Sequence, residues 1–225
     1  MKMINIFKCA VLMVLFSPGL FAQKIKLTDT NLKPVGVCLS QSKVKGNRTI
    51  RVVKDSTIVL DDEATYARIN NLEFAQGVIE VKVLSKILKS APSHARGFIG
   101  IAFQINEDNS KFEAIYLRPA NAMVEDQLRR NRSTQYFAYP DFKFTDSRKI
   151  APGLYESYEH MELNKWITIK IVVKGQQAKL FIDGRKHPTL VVNDLKMGLG
   201  AKGGIGLFVD IGTEGFFKDL VIYNQ

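Results

Sequence analysis

The residues best suited to chemistry are concentrated between positions 118 and 163 of the 225-residue chain. This segment is rich in aromatic rings, whose faces stack on sugars, and in arginine, whose planar guanidinium group bonds hydroxyls or carboxylates in pairs. The aromatic members are Tyr136, Phe137, Tyr139, Phe142, Phe144, Tyr155 and Tyr158, and the arginines are Arg118, Arg129, Arg130, Arg132 and Arg148. Two interpretations are open. The segment forms a ligand site, or it is an ordered loop over one sheet, with the aromatics as its small core and the arginines in solvent.

We predict a carbohydrate site on a concave sheet that residues 118–163 cover as a roof. Tyr136 and Tyr155 are expected to stack on sugar rings. The residues expected to bond sugar hydroxyls are Arg118, Asp126, Gln127, Arg130 and Asn131. A buried arginine needs an acidic or carbonyl partner, so Asp126 is expected to pair with Arg118 or Arg130.

Catalysis is the alternative use of the same segment. A glycosidase needs two carboxylates, about 5–5.5 Å apart for retention and about 6.5–9.5 Å apart for inversion. Alternate residues of a strand share a face and can supply such a pair, but Glu80 and Glu113 each stand alone on their predicted strands. The alternative acid and base are therefore Asp126 and Glu156. Binding without catalysis is favoured, because strand geometry places no second carboxylate beside the first.

No cofactor is predicted. The three histidines, at 94, 160 and 187, lack metal-ligand spacing. Asp61-Asp62-Glu63 and Glu107-Asp108-Asn109 could offer oxygen ligands to calcium but lack EF-hand spacing, so we interpret both as surface turns, with structural calcium as the alternative. Residues 198–203 match G-x-G-x-x-G, but an apolar strand follows them instead of a helix, so this motif is interpreted as a turn.

Composition and charge limit the partners. The apolar fraction is 46%, the charged fraction is 24% and the formal net charge is +10, which is typical of a globular, basic protein. A basic surface could bind nucleic acid or anionic glycans. The lysines are scattered, and only Arg129-Arg130-Asn131-Arg132 is dense. Because export is also predicted, nucleic acid is not expected as a partner.

Residues 1–22 have the pattern of a signal peptide. Lys2 and Lys8 precede a short apolar run from Cys9 to Phe16, and Ala22 offers a small residue for cleavage before Gln23. A membrane anchor is the alternative, but the run is shorter than the roughly 20 residues that span a bilayer. The mature protein is expected to be secreted or periplasmic and to form one domain over residues 23–225. Its single cysteine, Cys38, is expected to be a buried thiol.

Two-residue alternation of apolar and polar side chains dominates the rest of the chain. It is clearest at 166–174, which a turn connects to a second strand at 178–182. The other main predicted strands are 77–84, 97–105, 112–117, 204–209 and 216–223. No long segment has helical periodicity. The pattern predicts an all-β fold, a two-sheet antiparallel jelly-roll sandwich.

Three stretches of the chain resemble the concanavalin A-like lectin/glucanase superfamily, particularly its laminin G-like members. They are Phe74–Glu80 with Gly97–Phe103, Trp166–Val173 through Phe181–Gly184, and Gly204–Phe208 through Phe216–Ile222. The chain is also similar to the exported 3-keto-disaccharide hydrolase-like group, which shares this sandwich. The resemblance implies the fold, export and sugar binding. The glucanase motif, with acids alternating along one strand, is absent.

The sequence thus favours an exported carbohydrate-binding sandwich that is not an integral membrane protein. Two alternatives follow from the resemblance. One is a glycoside-cleaving enzyme of the 3-keto-disaccharide hydrolase-like or glucanase-like kind, and the other is a laminin G-like protein-interaction module. The identity of the sugar and the oligomeric state are not indicated by the sequence.

Overall fold

The computed structural model describes residues 21–224. It contains strands at Phe21–Ile25 (β1), Leu32–Val35 (β2), Val37–Val44 (β3), Asn47–Lys54 (β4), Tyr66–Ile69 (β5), Gly77–Ile87 (β6), Ile99–Ile105 (β7), Phe112–Leu117 (β8), Thr134–Tyr139 (β9), Glu156–Ser157 (β10), Ile167–Lys174 (β11), Gln177–Ile182 (β12), Leu190–Val192 (β13), Gly204–Val209 (β14) and Thr213–Asn224 (β15). The helices are Pro119–Ala122 (α1), Gln127–Arg130 (α2) and Phe144–Ile150 (α3), with a 3-10 turn at Asp29–Asn31.

The strands form two antiparallel sheets. The eight-stranded sheet has the order β13-β12-β11-β6-β15-β4-β3, with β1 also paired to β15. The seven-stranded sheet has the order β10-β9-β8-β7-β14-β5-β2. Non-consecutive neighbours such as β6 and β15 are typical of a jelly roll. The predicted all-β sandwich is confirmed.

Alternation places the apolar side chains of both sheets in one core. Val81 on β6 and Ile169 on β11 are paired across the eight-stranded sheet, and both are fully buried. Ile101 on β7 and Leu207 on β14 are paired in the same way in the seven-stranded sheet. All four belong to one apolar cluster. Burial of these faces is the main force that holds the sheets together.

The seven-stranded sheet is buried on its outer face too. Six rings cover that face, and we call them the outer aromatic layer: Tyr66, Phe98, Phe112, Tyr116, Phe137 and Phe208. The rings pack edge to face or tilted; for example, the centroids of Tyr66 and Phe112 are 5.2 Å apart. Gly206 makes room for this layer, because a Cβ there would lie 2.8 Å from the Tyr66 ring.

The long segment after β8 extends the sheet more than it covers it. The predicted strand at 134–139 is present as β9, and β10 forms the edge beyond it. The short helices α1, α2 and α3 lie in the connections. The expectation of a roof over a concave sheet surface is therefore wrong for much of the segment, because backbone pairing places β9 and β10 within the sheet plane.

Two other expectations concern individual positions. Cys38 is exposed on β3, so the prediction of a buried thiol is wrong. The predicted signal peptide falls on residues outside the described range, apart from Phe21 and Ala22, which pair with β15. No helix among residues 21–224 is long and apolar enough to cross a membrane.

One buried carboxylate connects β8 to the loop after β13. Glu113 is fully buried, and its Oε1 accepts a hydrogen bond of 2.6 Å from the Met197 amide. The Tyr136 hydroxyl on β9 donates to Glu113 Oε2 and accepts from the Lys196 amide at 3.0 Å. Burial raises the pKa of Glu113, while the bonds from Tyr136 and Met197 oppose that shift. Tyr136 thus satisfies two buried groups at once.

Replacing Tyr136 by phenylalanine should therefore destabilise the fold. The change leaves a Glu113 oxygen and the Lys196 amide without a partner, which should cost about 1–3 kcal/mol of the free energy of unfolding. Denaturant unfolding followed by fluorescence measures the loss. The control is Tyr158→Phe, at a side chain that is 41% exposed. Equal stability of the two variants would contradict the role assigned to the Tyr136 hydroxyl.

Candidate functional site

A pocket opens at one end of the seven-stranded sheet, beside the outer aromatic layer. Its volume is about 230 Å³. We call it the arginine pocket, because five of its lining residues are arginines: Arg96, Arg118, Arg129, Arg132 and Arg148. The other lining residues are Asp61, Asp62, Asp210, His94, Asn121, Phe98, Tyr116 and Phe144.

Sheet topology brings these residues together. The start of β7 pairs with the end of β8 through Ile99 and Leu117, and with the end of β14 through Val209. The connections beyond these strand ends therefore meet at one edge. Arg96 lies before β7, Arg118 follows β8, and Asp210 follows β14.

Arg118 is the most buried arginine of the pocket, with 4% of its surface exposed. Its guanidinium donates to the Tyr116 hydroxyl at 2.6 Å, to Gln135 Oε1 at 3.1 Å and to Glu156 Oε1 at 3.0 Å. The partners come from β8, β9 and β10. A buried cation needs such partners, since an unpaired charge would be expensive to desolvate.

Glu156 also binds the guanidinium groups of two further arginines. Arg148 on α3 donates its Nε to both carboxylate oxygens at 3.1 Å, and Arg132 Nε lies 3.4 Å from Oε2. Three arginines therefore share one carboxylate. The arrangement fixes the position of α3 against β10 and leaves positive charge in excess.

Two of the aspartates that line the pocket, Asp62 and Asp210, are buried. Asp210 forms an ion pair with Lys54, and its Oδ2 accepts from the Asp62 amide at 2.8 Å. Asp62 Oδ2 accepts from the Phe144 amide at 3.1 Å, whereas its Oδ1 has no hydrogen-bond partner among the described residues. Burial, and next the charge of Asp210, raise the pKa of the Asp62 carboxyl to about 6, although Arg118 opposes the shift.

Arg96 and Arg129 differ from the other three arginines. Neither forms an ion pair within residues 21–224. Arg96 Nη1 donates only to the carbonyls of Ser93 and Ala95, at 2.7 Å each. Burial, followed by the charges of Arg129 and Arg118, lowers the pKa of Arg96. These two cations therefore remain unneutralised at the pocket.

The structure separates the sequence-predicted site residues. Arg118 lines the arginine pocket, but Asp126 caps α2 by accepting from the Arg129 amide at 3.1 Å. Gln127 donates to Asn131 at 2.7 Å on the exposed side of α2, and the Arg130 guanidinium lies 5.2 Å from the Tyr158 ring centroid. The predicted pairing of Asp126 with Arg118 or Arg130 is wrong, because Glu156 supplies the carboxylate for Arg118.

The two predicted stacking tyrosines face the core between the sheets. Tyr136 has 0% of its surface exposed, and Tyr155 has 4%. Their ring centroids are 5.6 Å apart, and the Tyr155 hydroxyl donates to Asp194 at 2.6 Å. They pack against each other within the core cluster. Their ring faces are therefore not presented to a ligand from outside.

Asp126 and Glu156, the predicted alternative acid and base, have different roles in the structure. Asp126 is engaged as a helix cap, and Glu156 lines a second cavity of about 380 Å³ together with Asn131 and Arg132. Both oxygens of Glu156 are committed to guanidinium groups. Each of these two carboxylates is therefore engaged by groups within the protein.

Several pocket residues were not among the predicted sugar-binding residues: Asp62, Arg96, Asn121, Phe144 and Asp210. The sequence did contain a signal that could have predicted some of the pocket residues. Arg96, Arg118 and Asp210 each lie just outside an apolar strand. Charged residues at strand ends gather at one edge when the strands are neighbours. The order of the strands in the sheet, however, was needed to know which ends meet.

Neither predicted acidic turn forms a metal site. Among residues 21–224, no group of three or more His, Cys, Asp or Glu side chains could hold a metal ion. Glu63 forms an ion pair with Lys143. Asp108 accepts from the Ser110 amide at 3.0 Å, and Asn109 accepts from Arg68 at 2.7 Å.

Comparison with known proteins identifies the fold of this chain. No protein-family model matches the sequence, and no curated protein does either. A solved carbohydrate-binding module, CBM66 from Bacillus subtilis, superposes with a TM-score of 0.51 at 10% identity, covering 84% of this chain and 96% of that one. A Bacillus subtilis protein of unknown function with a galectin-like fold gives a TM-score of 0.50 at 10% identity, covering 87% and 90%. The chain has the concanavalin A-like lectin/glucanase fold, as the sequence resemblance implied.

The buried Asp62 carboxyl should make stability depend on pH. Its pKa is raised from 3.8 to about 6, so between these values the folded state keeps a proton that the unfolded chain releases. The free energy of unfolding should therefore fall as pH rises through this window. Relative to Asp62→Asn, wild-type stability should decrease by about 2 kcal/mol between pH 4.5 and pH 7.5.

Urea unfolding of both proteins at the two pH values tests this prediction. Asp141→Asn, at an exposed carboxylate, serves as the control and should follow the wild type. A stability difference between wild type and Asp62→Asn that is the same at both pH values would show that Asp62 does not carry the pH dependence.

Proposed function

We propose that this protein is exported and binds carbohydrate in the arginine pocket. The observation that carries the proposal is the pocket itself, where guanidinium donors and unpartnered oxygen acceptors meet beside aromatic rings. Sugar sites combine such polar groups with aromatic surface. The carbohydrate-binding module among the structural neighbours supports the class of ligand.

The filled outer face of the sheet favours the pocket as the binding site. The outer aromatic layer buries its rings against one another, and Phe137 and Phe208 have no exposed surface. A glycan lying across the sheet would have to displace these rings. The pocket at the strand ends needs no such rearrangement.

Binding should depend on Arg129, which no described carboxylate neutralises. Arg129→Gln removes the charge-assisted contact between the Arg129 guanidinium and the ligand, which should weaken sugar affinity about 10- to 100-fold. The side chain is part of no ion pair among the described residues, so the variant should fold normally. A glycan array with residues 23–225, followed by calorimetry on each hit, gives the measurement.

The matched control is Arg48→Gln, at an exposed arginine on β4 in the other sheet. It carries the same change of charge and should bind like the wild type. The proposal fails if no glycan binds, or if Arg48→Gln and Arg129→Gln weaken binding equally.

Glycoside cleavage is a second candidate function, and Asp62 is the observation that favours it. A carboxyl that titrates near pH 6 suits a general acid, and Asp62 Oδ1 has no hydrogen-bond partner among the described residues. If Asp62 is the acid, Asp62→Asn should lower turnover about 10²–10⁴-fold and leave sugar affinity nearly unchanged. Product analysis of every glycan that binds distinguishes the two functions. Absence of sugar release by the wild type removes the enzyme candidate.

A further inference from the structure

We infer that the sugar recognised by the arginine pocket carries an anionic substituent, a carboxylate or a sulfate ester, next to free hydroxyl groups. This inference rests on the proposed function and names the substrate class of the same site. It follows from the balance of charge, the two unneutralised arginines and the buried acceptors.

The charge of the pocket is positive even after its internal ion pairs are counted. Five arginines and three aspartates line it, and Lys54 and Glu156 pair directly with lining residues. The site therefore holds six cations and four carboxylates. A neutral sugar would leave this excess uncompensated, whereas one anionic group would reduce it.

Arg96 and Arg129 are the donors that remain available to a ligand. The carbonyls of Ser93 and Ala95 orient the Arg96 guanidinium without neutralising it. Arg129 comes from a different element, α2, yet its charge acts on Arg96. An anion between the two would relieve their repulsion. A guanidinium group also matches carboxylate and sulfate oxygens with two parallel hydrogen bonds.

Unpartnered acceptors explain why the ligand should be a sugar and not a bare anion. Asn121 is 5% exposed, and its Nδ2 donates to the Arg132 carbonyl at 3.2 Å, but its Oδ1 has no partner among residues 21–224. Asp62 Oδ1 also lacks a partner in hydrogen-bond geometry, although the Tyr116 hydroxyl lies close enough to the Asp62 carboxylate to oppose the rise of its pKa. Acceptors of this kind require donors, and sugar hydroxyls supply them. An inorganic anion would satisfy the arginines only.

The test compares acidic glycans with their neutral counterparts. Uronic-acid oligosaccharides are measured beside their carboxyl-reduced forms, and sulfated galactans beside their desulfated forms, by calorimetry at low salt. The acidic form of at least one pair should bind ten-fold or more tightly, and the preference should shrink as salt is raised to 0.5 M, about where the screening length falls to a few ångströms. The pair that shows the preference identifies the substituent.

Variants of Arg129 link the preference to the pocket. Arg129→Gln should reduce the acidic-to-neutral affinity ratio about ten-fold, whereas Arg129→Lys keeps the charge and should retain most of the ratio. Arg48→Gln should leave the ratio unchanged.

Each other outcome has a distinct meaning. Equal binding of acidic and neutral forms overturns the inference but leaves the proposed function standing. Failure of every sugar, acidic or neutral, overturns both. Binding of a single-stranded oligonucleotide, or of sulfate ion alone, as tightly as the acidic sugar would show general anion binding and overturn the inference.

Discussion

The buried guanidinium of Arg118 is the constraint around which the open end of the sandwich is organised. A cation with 4% exposure must be bonded on every side, and its partners here come from three adjacent strands. Glu156 is the charged member, and it belongs to a strand of only two residues. The ion pair therefore helps to hold β10 at the sheet edge, where backbone pairing alone is limited. Through Arg148, the same carboxylate also positions α3.

The outer aromatic layer limits where the proposed ligand could bind. Rings on β5, β8, β9 and β14 fill the face that would otherwise be the open surface of the sheet. Their packing is compatible with the backbone because Gly206 lies beneath Tyr66. At the strand ends the rings give way to charged side chains. Polar side chains therefore lie at the edge of the sheet and not on the middle of this face, and they form the arginine pocket.

Alternation along the chain was sufficient to predict most strands and the sandwich. It shows that Tyr136 and Ala138 share a face, as do Gln135, Phe137 and Tyr139, but it cannot show which set faces the second sheet when both sets are largely apolar. For this reason the sequence alone did not place Tyr136 in the core between the sheets. The partner of Arg118 was missed because Glu156 is 38 residues away along the chain and reaches it only through sheet pairing. Asp126 is nearer to Arg118 along the chain, but its carboxylate caps helix α2 and does not pair with Arg118.

The positions of the unneutralised arginines are more informative about a ligand than the net charge of the chain is. The formal charge of +10 is spread over scattered lysines, whose long side chains remain solvated and interact with any polyanion through screened attraction. Arg96 is held by carbonyls, and Arg118, Arg132 and Arg148 share one carboxylate, so these guanidinium groups are partly desolvated and fixed in position. Desolvated donors in fixed positions select for the geometry of a ligand, because a misplaced anion leaves them unpaired. Recognition here should therefore depend on the few guanidinium groups that the fold has kept away from water, and only weakly on the total charge of the chain.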